Sequence, residues 1–173
     1  INMLGLKSPY ILITEENVPM VRGASQTYGL GFTPGPWIES IQVTKGMGSV
    51  TNGFESIVGQ INTELKKPLN DIPLLLNLFN SNNGRVELNT QVKSAVSEKI
   101  STSFFAHYNK RDQSNDKNSD GFLDKPLQSQ INLINRWQYI NAAKGLVSFF
   151  NIRVLDDLKK IGQVGYQDDT SKW

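Results

Sequence analysis

The chain reads as a mainly β protein, with a small α+β unit over residues 1–68 and an antiparallel up-and-down meander over 69–173. Three observations predict this. Residues 85–95 and 100–110 alternate apolar and polar side chains with period two, which puts each set on its own face of a strand. Asn83-Gly84 sits between alternating runs and is the strongest short-range signal for a hairpin turn. Upstream of Pro68 the pattern differs, with short β-branched runs separated by stretches rich in Gly, Pro, Ser and Thr.

The bulk properties bound the function. A length of 173 residues allows one domain or two small ones. The net charge of +2 makes no electrostatic case for a nucleic-acid partner. With no cysteine, disulfides, thiolate metal sites and thiol nucleophiles are excluded together. The longest apolar run, 72–79, is broken by Pro73 and Asn77 and falls short of the roughly 20 residues a spanning helix needs. A membrane β-barrel stays open, because its alternating strands give little hydropathy signal. No charged start followed by an apolar run marks a signal peptide. The chain starts in mid-pattern at Ile1 and stops at Trp173, and is expected to be a piece of something larger.

Taken in order, residues 10–14 (Tyr-Ile-Leu-Ile-Thr) form a strand apolar on both faces and hence buried. Glu15-Glu16-Asn17 turns the chain, and Val18-Pro19-Met20 resumes it. Residues 21–37 read as loop with one helical turn near Pro36. Ile38–Thr44 and Gln60–Lys66 are alternating strands around Gly46, Gly48, Gly53 and Gly59, with a short helical turn over Ser49–Phe54. The meander then runs Ile72–Asn80, Arg85–Ala95, Ile100–Lys110, Gln130–Asn141 and Leu146–Leu155. On successive strands Val86, Leu88, Thr90 and Val92, then Ile100, Thr102, Phe104, Ala106 and Tyr108, then Ile131, Leu133, Trp137 and Tyr139 share apolar faces. The opposite faces are rich in Asn, Gln, Ser and Arg.

Strands of about 9–11 residues match what a tilted strand needs to cross a bilayer, whereas soluble strands average about 5–6. The connections run short (81–84), short (96–99), long (111–129), short (141–145) and long from Asp156. The two long ones fall on one rim, as in outer-membrane barrels. A soluble sandwich with one solvated face is the competing reading, and it requires Val86, Leu88, Phe104 and Leu133 to be buried together.

Several sites invite chemistry. Gly48 and Gly53 have P-loop spacing, but Phe54 and Glu55 follow where Lys and Ser/Thr are needed. Thr51 stands where a dinucleotide fingerprint needs its third Gly. In the loop 116–124, Asp116, Asn118, Asp120 and Asp124 place oxygens at positions 1, 3, 5 and 9, with Gly121 at 6. That spacing wraps a hard cation, so a structural calcium is one reading; Leu127 stands where an EF-hand has its bidentate carboxylate. The other reading is a loop of Asx turns bonding its own backbone. His107, the single histidine, reads as a hydrogen-bonded wall residue on a polar strand face. Adjacent acids diverge, so Glu15/Glu16, Asp156/Asp157 and Asp168/Asp169 read as solvated charge. An enzyme is not expected.

The stretch Ile-Glu-Ser-Ile-Gln-Val-x-Lys-Gly (38–46), Gly-Ser-Val-x-Asn-Gly (48–53) and Gly-Gln-Ile-Asn-x-Glu-Leu-Lys-Lys-Pro (59–68) resembles the plug of TonB-dependent outer-membrane receptors. The resemblance implies an α+β plug subdomain (1–68, its C-terminal part) followed by the first strands (69–173) of a transmembrane β-barrel. Such a barrel has about 22 strands and a plugged lumen. It further implies active uptake of a scarce small-molecule or metal-chelate ligand, a siderophore or other iron chelate first of all. TonB, reached through a segment outside this chain, and outer-membrane lipid are the implied partners. Two plug apices would face the ligand: Arg22 and Gly23 after Val18-Pro19-Met20, and Thr51, Asn52 and Gly53 at the tip, where an aromatic residue is common in place of Asn52. An ion pair between plug and wall is the equal alternative for Arg22. The alternative function is a soluble or surface β-rich binding or adhesion module without transport.

Overall fold

The computed structural model describes residues 2–7, 10–68 and 73–165. It is mainly β, with two sheets built from the two halves of the chain and a small hairpin at the start. That hairpin pairs β1 (Asn2–Met3) with β2 (Leu6–Lys7).

The N-terminal sheet has four strands in the order β4-β3-β6-β5. Its centre, β3 (Ile11–Glu15), is buried from Ile11 to Thr14, as its two apolar faces predict. It pairs in parallel with β6 (Gly59–Leu65), which runs antiparallel to the edge strand β5 (Ile38–Lys45). β4 (Val18–Pro19) closes the other edge through a tight hairpin, in which Glu16 and Asn17 both take positive φ (54° and 63°). Two-residue hairpins favour that left-handed pair because it matches the twist of the strands. At Gly59 a β-carbon would lie 2.3 Å from the Thr44 carbonyl oxygen, so this glycine serves close approach between β5 and β6.

The expectation of α+β is corrected here: among the described residues every helical segment is a 3₁₀ turn. The turns at Gly35–Trp37, Val50–Asn52 and Phe54–Ser56 fall where short helical turns were expected. The segment Gly23–Phe32, expected as loop, is instead a continuous 3₁₀ run of 10 residues. Its buried residues are Gln26, Gly29 and Phe32, spaced by three, the period at which 3₁₀ side chains eclipse. A β-carbon at Gly29 would lie 2.7 Å from Val21 Cγ2 and 2.8 Å from Ile13 Cδ1, so those side chains would have to shift for any other residue to lie this close to β3.

The second sheet has five antiparallel strands in the order of the chain, β7 to β11. They are β7 (Leu74–Asn80), β8 (Arg85–Ala95), β9 (Ile100–Arg111), β10 (Leu127–Asn141) and β11 (Leu146–Lys160). The last two run to 15 residues each, longer than their alternation predicts, because pairing continues from Leu127↔Lys160 to Asn141↔Leu146. The expected start of the first strand at Ile72 and the pair Asp168/Asp169 lie outside the described residues. β7 and β11 are edges, so the sheet is open.

The two faces of this sheet are inverted relative to a soluble core. Asn89, Gln91, Ser103, His107, Asn109, Gln130, Asn132 and Arg136 are buried, at no more than 4% exposure. Opposite them Val86, Leu88 and Phe104 are 47%, 36% and 44% exposed, and Leu133 is half-buried. The common burial that a soluble sandwich requires of these four is not observed. Leu76, Leu78, Phe150, Ile152 and Val154 extend the exposed apolar face across β7 and β11. What covers the polar face is the N-terminal unit. Trp37 and Leu65 form one buried cluster with Phe105 and Ile134, with the Trp37 and Phe105 rings edge-to-face at 5.3 Å. Among the described residues no helix is long and apolar enough to cross a membrane.

Candidate functional site

The polar face and the N-terminal unit meet through a set of charged and amide contacts, and this interface is where the chemistry concentrates. The β3–β4 hairpin presents its two glutamates to two different arginines. Glu15 receives Arg153 Nη1 on both carboxylate oxygens, at 3.1 and 3.0 Å, and the Thr33 hydroxyl at 2.7 Å. Glu16 receives Arg136 Nη1 at 2.8 Å and the Leu65 backbone N–H at 2.9 Å. Arg136 is fully buried beneath the ring of Phe149, 4.7 Å from its centroid. Among the described residues its Nε and Nη2 have no hydrogen-bond partner, and the Glu16 carboxylate is the one polar anchor of its side chain. Arg153 is better served, since it also donates to Asn132 Oδ1 at 3.0 Å and to the Phe32 carbonyl.

The reading of Glu15/Glu16 as solvated charge is therefore corrected. Their side chains do diverge, but each lands on an arginine 138 or 120 residues away. Asp157, likewise read as solvated, accepts from Gln130 Nε2 at 3.0 Å and pairs with Lys159. Asp156 is exposed.

Amides complete the seam. Gln130 donates to the Gly31 carbonyl at 3.2 Å, and Asn132 to the Phe32 carbonyl at 2.7 Å. Lys93 reaches the Lys67 carbonyl at 2.8 Å. The bonds from Gln130 and Asn132 satisfy two carbonyls at the end of the 3₁₀ run. His107 is the wall residue its position predicts. Its Nδ1 lies 2.7 Å from Asn89 Oδ1 and its Nε2 2.9 Å from Gln130 Oε1, with the Trp37 ring edge-on at 6.1 Å.

The first expected ligand apex is linked to the turn that follows the second through one ion pair. Arg22 pairs with Glu55 at 3.2 Å, a residue of the same unit, so its ion pair lies within the unit and not, as the alternative reading of Arg22 had it, with the five-stranded sheet. This contact ties Gly23, which has φ of +68°, to the neighbourhood of the 50–56 turns. Thr51 and Asn52 lie on the Val50–Asn52 turn, and Asn52 donates to Gln60 Oε1 at 2.9 Å. Arg22 remains 65% exposed.

The loop 112–126 holds the expected cation ligands, and it spends them on its own backbone. Asp116 accepts from the N–H groups of Asp120 and Gly121, at 3.2 and 2.9 Å. Asp120 accepts from the Phe122 N–H and from Asn118 Nδ2, both at 2.8 Å. Asp124 accepts from the Lys117 N–H at 2.8 Å. This is the Asx-turn arrangement. Among the described residues no group of three or more acidic or histidine side chains is gathered to hold a metal ion.

A feature that spacing did not single out lies between the 3₁₀ run and the loop end of the sheet. Val21, Ser25, Tyr28, Phe32, Leu155 and Lys159 line a groove of about 510 Å³. Tyr28 and Lys159 are shared with a second cavity of about 310 Å³ that reaches Arg85, Asn109 and Gln128. Lys159 Nζ stands 5.0 Å from the Tyr28 ring centroid. The signal present in the sequence was the polar register of β8, β9 and β10. No family model matches the chain, and no curated protein matches it.

Proposed function

We propose that this chain is part of a TonB-dependent outer-membrane receptor, with residues 1–68 as the C-terminal part of the plug and 69–173 as the first strands of the barrel. The observation that carries the reading is the inversion of the five-stranded sheet. Its buried face is polar and covered by the preceding unit, while Val86, Phe104, Ile131, Phe150 and Val154 turn outward and exposed. Lipid is the solvent that suits such an outer face, and a wet, plugged lumen suits the inner one. The open edges β7 and β11 would be paired by further strands, since unpaired backbone does not persist in hydrocarbon. The cargo is a small molecule or metal chelate, with a siderophore or iron chelate as the leading class. Arg22, Gly23, Thr51 and Asn52 would face it from the plug. Catalysis has no role in this reading.

The test is contact with lipid. Trp137 lies on the apolar face at 38% exposure, whereas Trp37 is fully buried. In bilayers containing brominated acyl chains, Trp137 fluorescence is expected to be quenched strongly and that of Trp37 little. Equal quenching of both, or a monodisperse and cooperatively melting chain in buffer without detergent, sinks the proposal.

A further inference from the structure

Arg85 and Arg111 stand directly opposite each other in the β8–β9 register, at the loop end of the sheet. Residues so opposed on an antiparallel pair have β-carbons roughly 4.5–5.5 Å apart, and like charges there repel. Both belong to the polar face, in line with Glu87 and Asn109. Arg85 donates Nη2 to Glu87 at 2.5 Å. Among the described residues Arg111 has no ion-pair partner, only a contact at 3.5 Å to the Pro126 carbonyl. The Nε of each arginine is buried without a hydrogen-bond partner, and so is the side-chain oxygen of Asn109, a residue 3% exposed.

Two of these residues, Arg85 and Asn109, border a cavity, and Arg111 lies outside its lining. Arg85, Asn109, Gln128 and Lys159 form its walls, and Tyr28 and Gly31 of the 3₁₀ run form its floor. Glu87 pairs with Arg85 and Asp157 with Lys159, while the neighbouring Arg111 has no ion-pair partner among the described residues, so the surroundings of the cavity carry one excess positive charge. Rotation of the Asn109 amide presents its NH₂ to the same space. Tyr28 adds an aromatic face beside Lys159.

We propose that this cavity is an oxyanion subsite, receiving a carboxylate or phosphate group between Arg85 and Lys159, with Arg111 contributing charge from behind Gln128. An oxyanion there offsets the repulsion of the opposed arginines. Charge-assisted bonds from guanidinium and ammonium to such an anion are the strong class of hydrogen bond. In naming the acidic chemistry of the cargo, the inference rests on the uptake reading; the site itself does not.

The experiment titrates the full chain in detergent with sodium phosphate and, separately, sodium malonate, against sodium chloride of equal ionic strength, reading heat of binding and thermal midpoint. Saturable binding near about 1 mM is expected for at least one of the two, and which one separates phosphate from carboxylate as the recognised group. Arg85→Gln and Lys159→Gln are each expected to weaken it about tenfold. Arg111→Gln, which removes the repulsion, is expected to raise the midpoint without anion and to shrink the anion-induced rise. Lys144→Gln, an exposed cation in the turn at the opposite end of the sheet, leaves affinity unchanged. No saturable effect beyond chloride, or equal affinity in Arg85→Gln and the unmodified chain, overturns the subsite. Loss of the subsite with Trp137 still quenched by lipid refutes this inference alone, and the converse refutes only the membrane reading.

Discussion

Glu16→Gln keeps the shape of the side chain and the acceptor for the Leu65 N–H, and removes only the charge that faces Arg136. Arg136 is fully exposed to that loss, because its Nε and Nη2 have no other partner and the side chain is at 0% exposure. Removing one partner of a buried pair strands the other charge, which costs about 3–5 kcal/mol. The retained amide contact places the expected cost at the lower end, about 3 kcal/mol. Glu15→Gln is the built-in comparison. Arg153 keeps Asn132 and the Phe32 carbonyl, and 19% of its side chain reaches solvent, so about 1 kcal/mol is expected there. Adding Arg136→Met to Glu16→Gln replaces the stranded charge by an apolar side chain and is expected to recover most of the loss. The assay is urea unfolding of the detergent-solubilised chain, followed by Trp37 fluorescence in a Trp137→Phe, Trp173→Phe background. A Glu16→Gln variant within about 0.5 kcal/mol of the parent, or a double variant whose loss is the sum of the two single ones, refutes the account.

Trp37→Ala removes the ring that packs edge-on against Phe105, and is expected to cost about 3–5 kcal/mol in urea unfolding followed by circular dichroism. Gly29→Ala is expected to loosen the 3₁₀ run from β3, seen as faster amide exchange at Ile13, while Gly31→Ala, which meets open space, leaves it unchanged. Asp112, hydrogen-bonded to and paired with Lys110 at 2.8 Å, has its carboxyl held below the ordinary value of 3.8. Its contribution is thus present above that value and lost as pH falls through the depressed one; Lys110→Gln is expected to return its NMR titration midpoint upward. If the loop 112–126 is held by its own backbone bonds, a chelator leaves the thermal midpoint unchanged and Asp116→Ala lowers it, whereas a midpoint that rises with calcium points to a bound cation.

Much of the sheet was legible because a strand has only two faces. Val86 and Leu88 against Glu87 and Asn89 follow from period two alone, and Asn83-Gly84 fixes where the first hairpin turns. Which face is buried was not legible from that pattern, since alternation is identical whether a packed core or lipid meets the apolar side. The 3₁₀ run was hidden for a different reason. Its buried positions 26, 29 and 32 are a glutamine, a glycine and one aromatic residue, so a period of three carries no apolar signal. Glu15 and Glu16 were misread because adjacency tells that two side chains diverge, not what each meets. Their arginines belong to strands whose distance along the chain is beyond any local rule.

The parallel pairing of β3 with β6 has a consequence for the order in which this chain acquires its structure. It joins Ile11 to Gly59 across most of the N-terminal half, and brings in β4 and β5 only once that closure is made. The five-stranded meander joins nearest neighbours only, each hairpin closing a short loop or the single longer one after Arg111. Loop-closure entropy favours the local ladders, so the meander zips early and the parallel pair late. Until then Arg136 and Arg153 stand hydrated on an uncovered face. On that order the Glu15-Glu16 hairpin is expected to arrive last, stripping that water as it seals the two halves together.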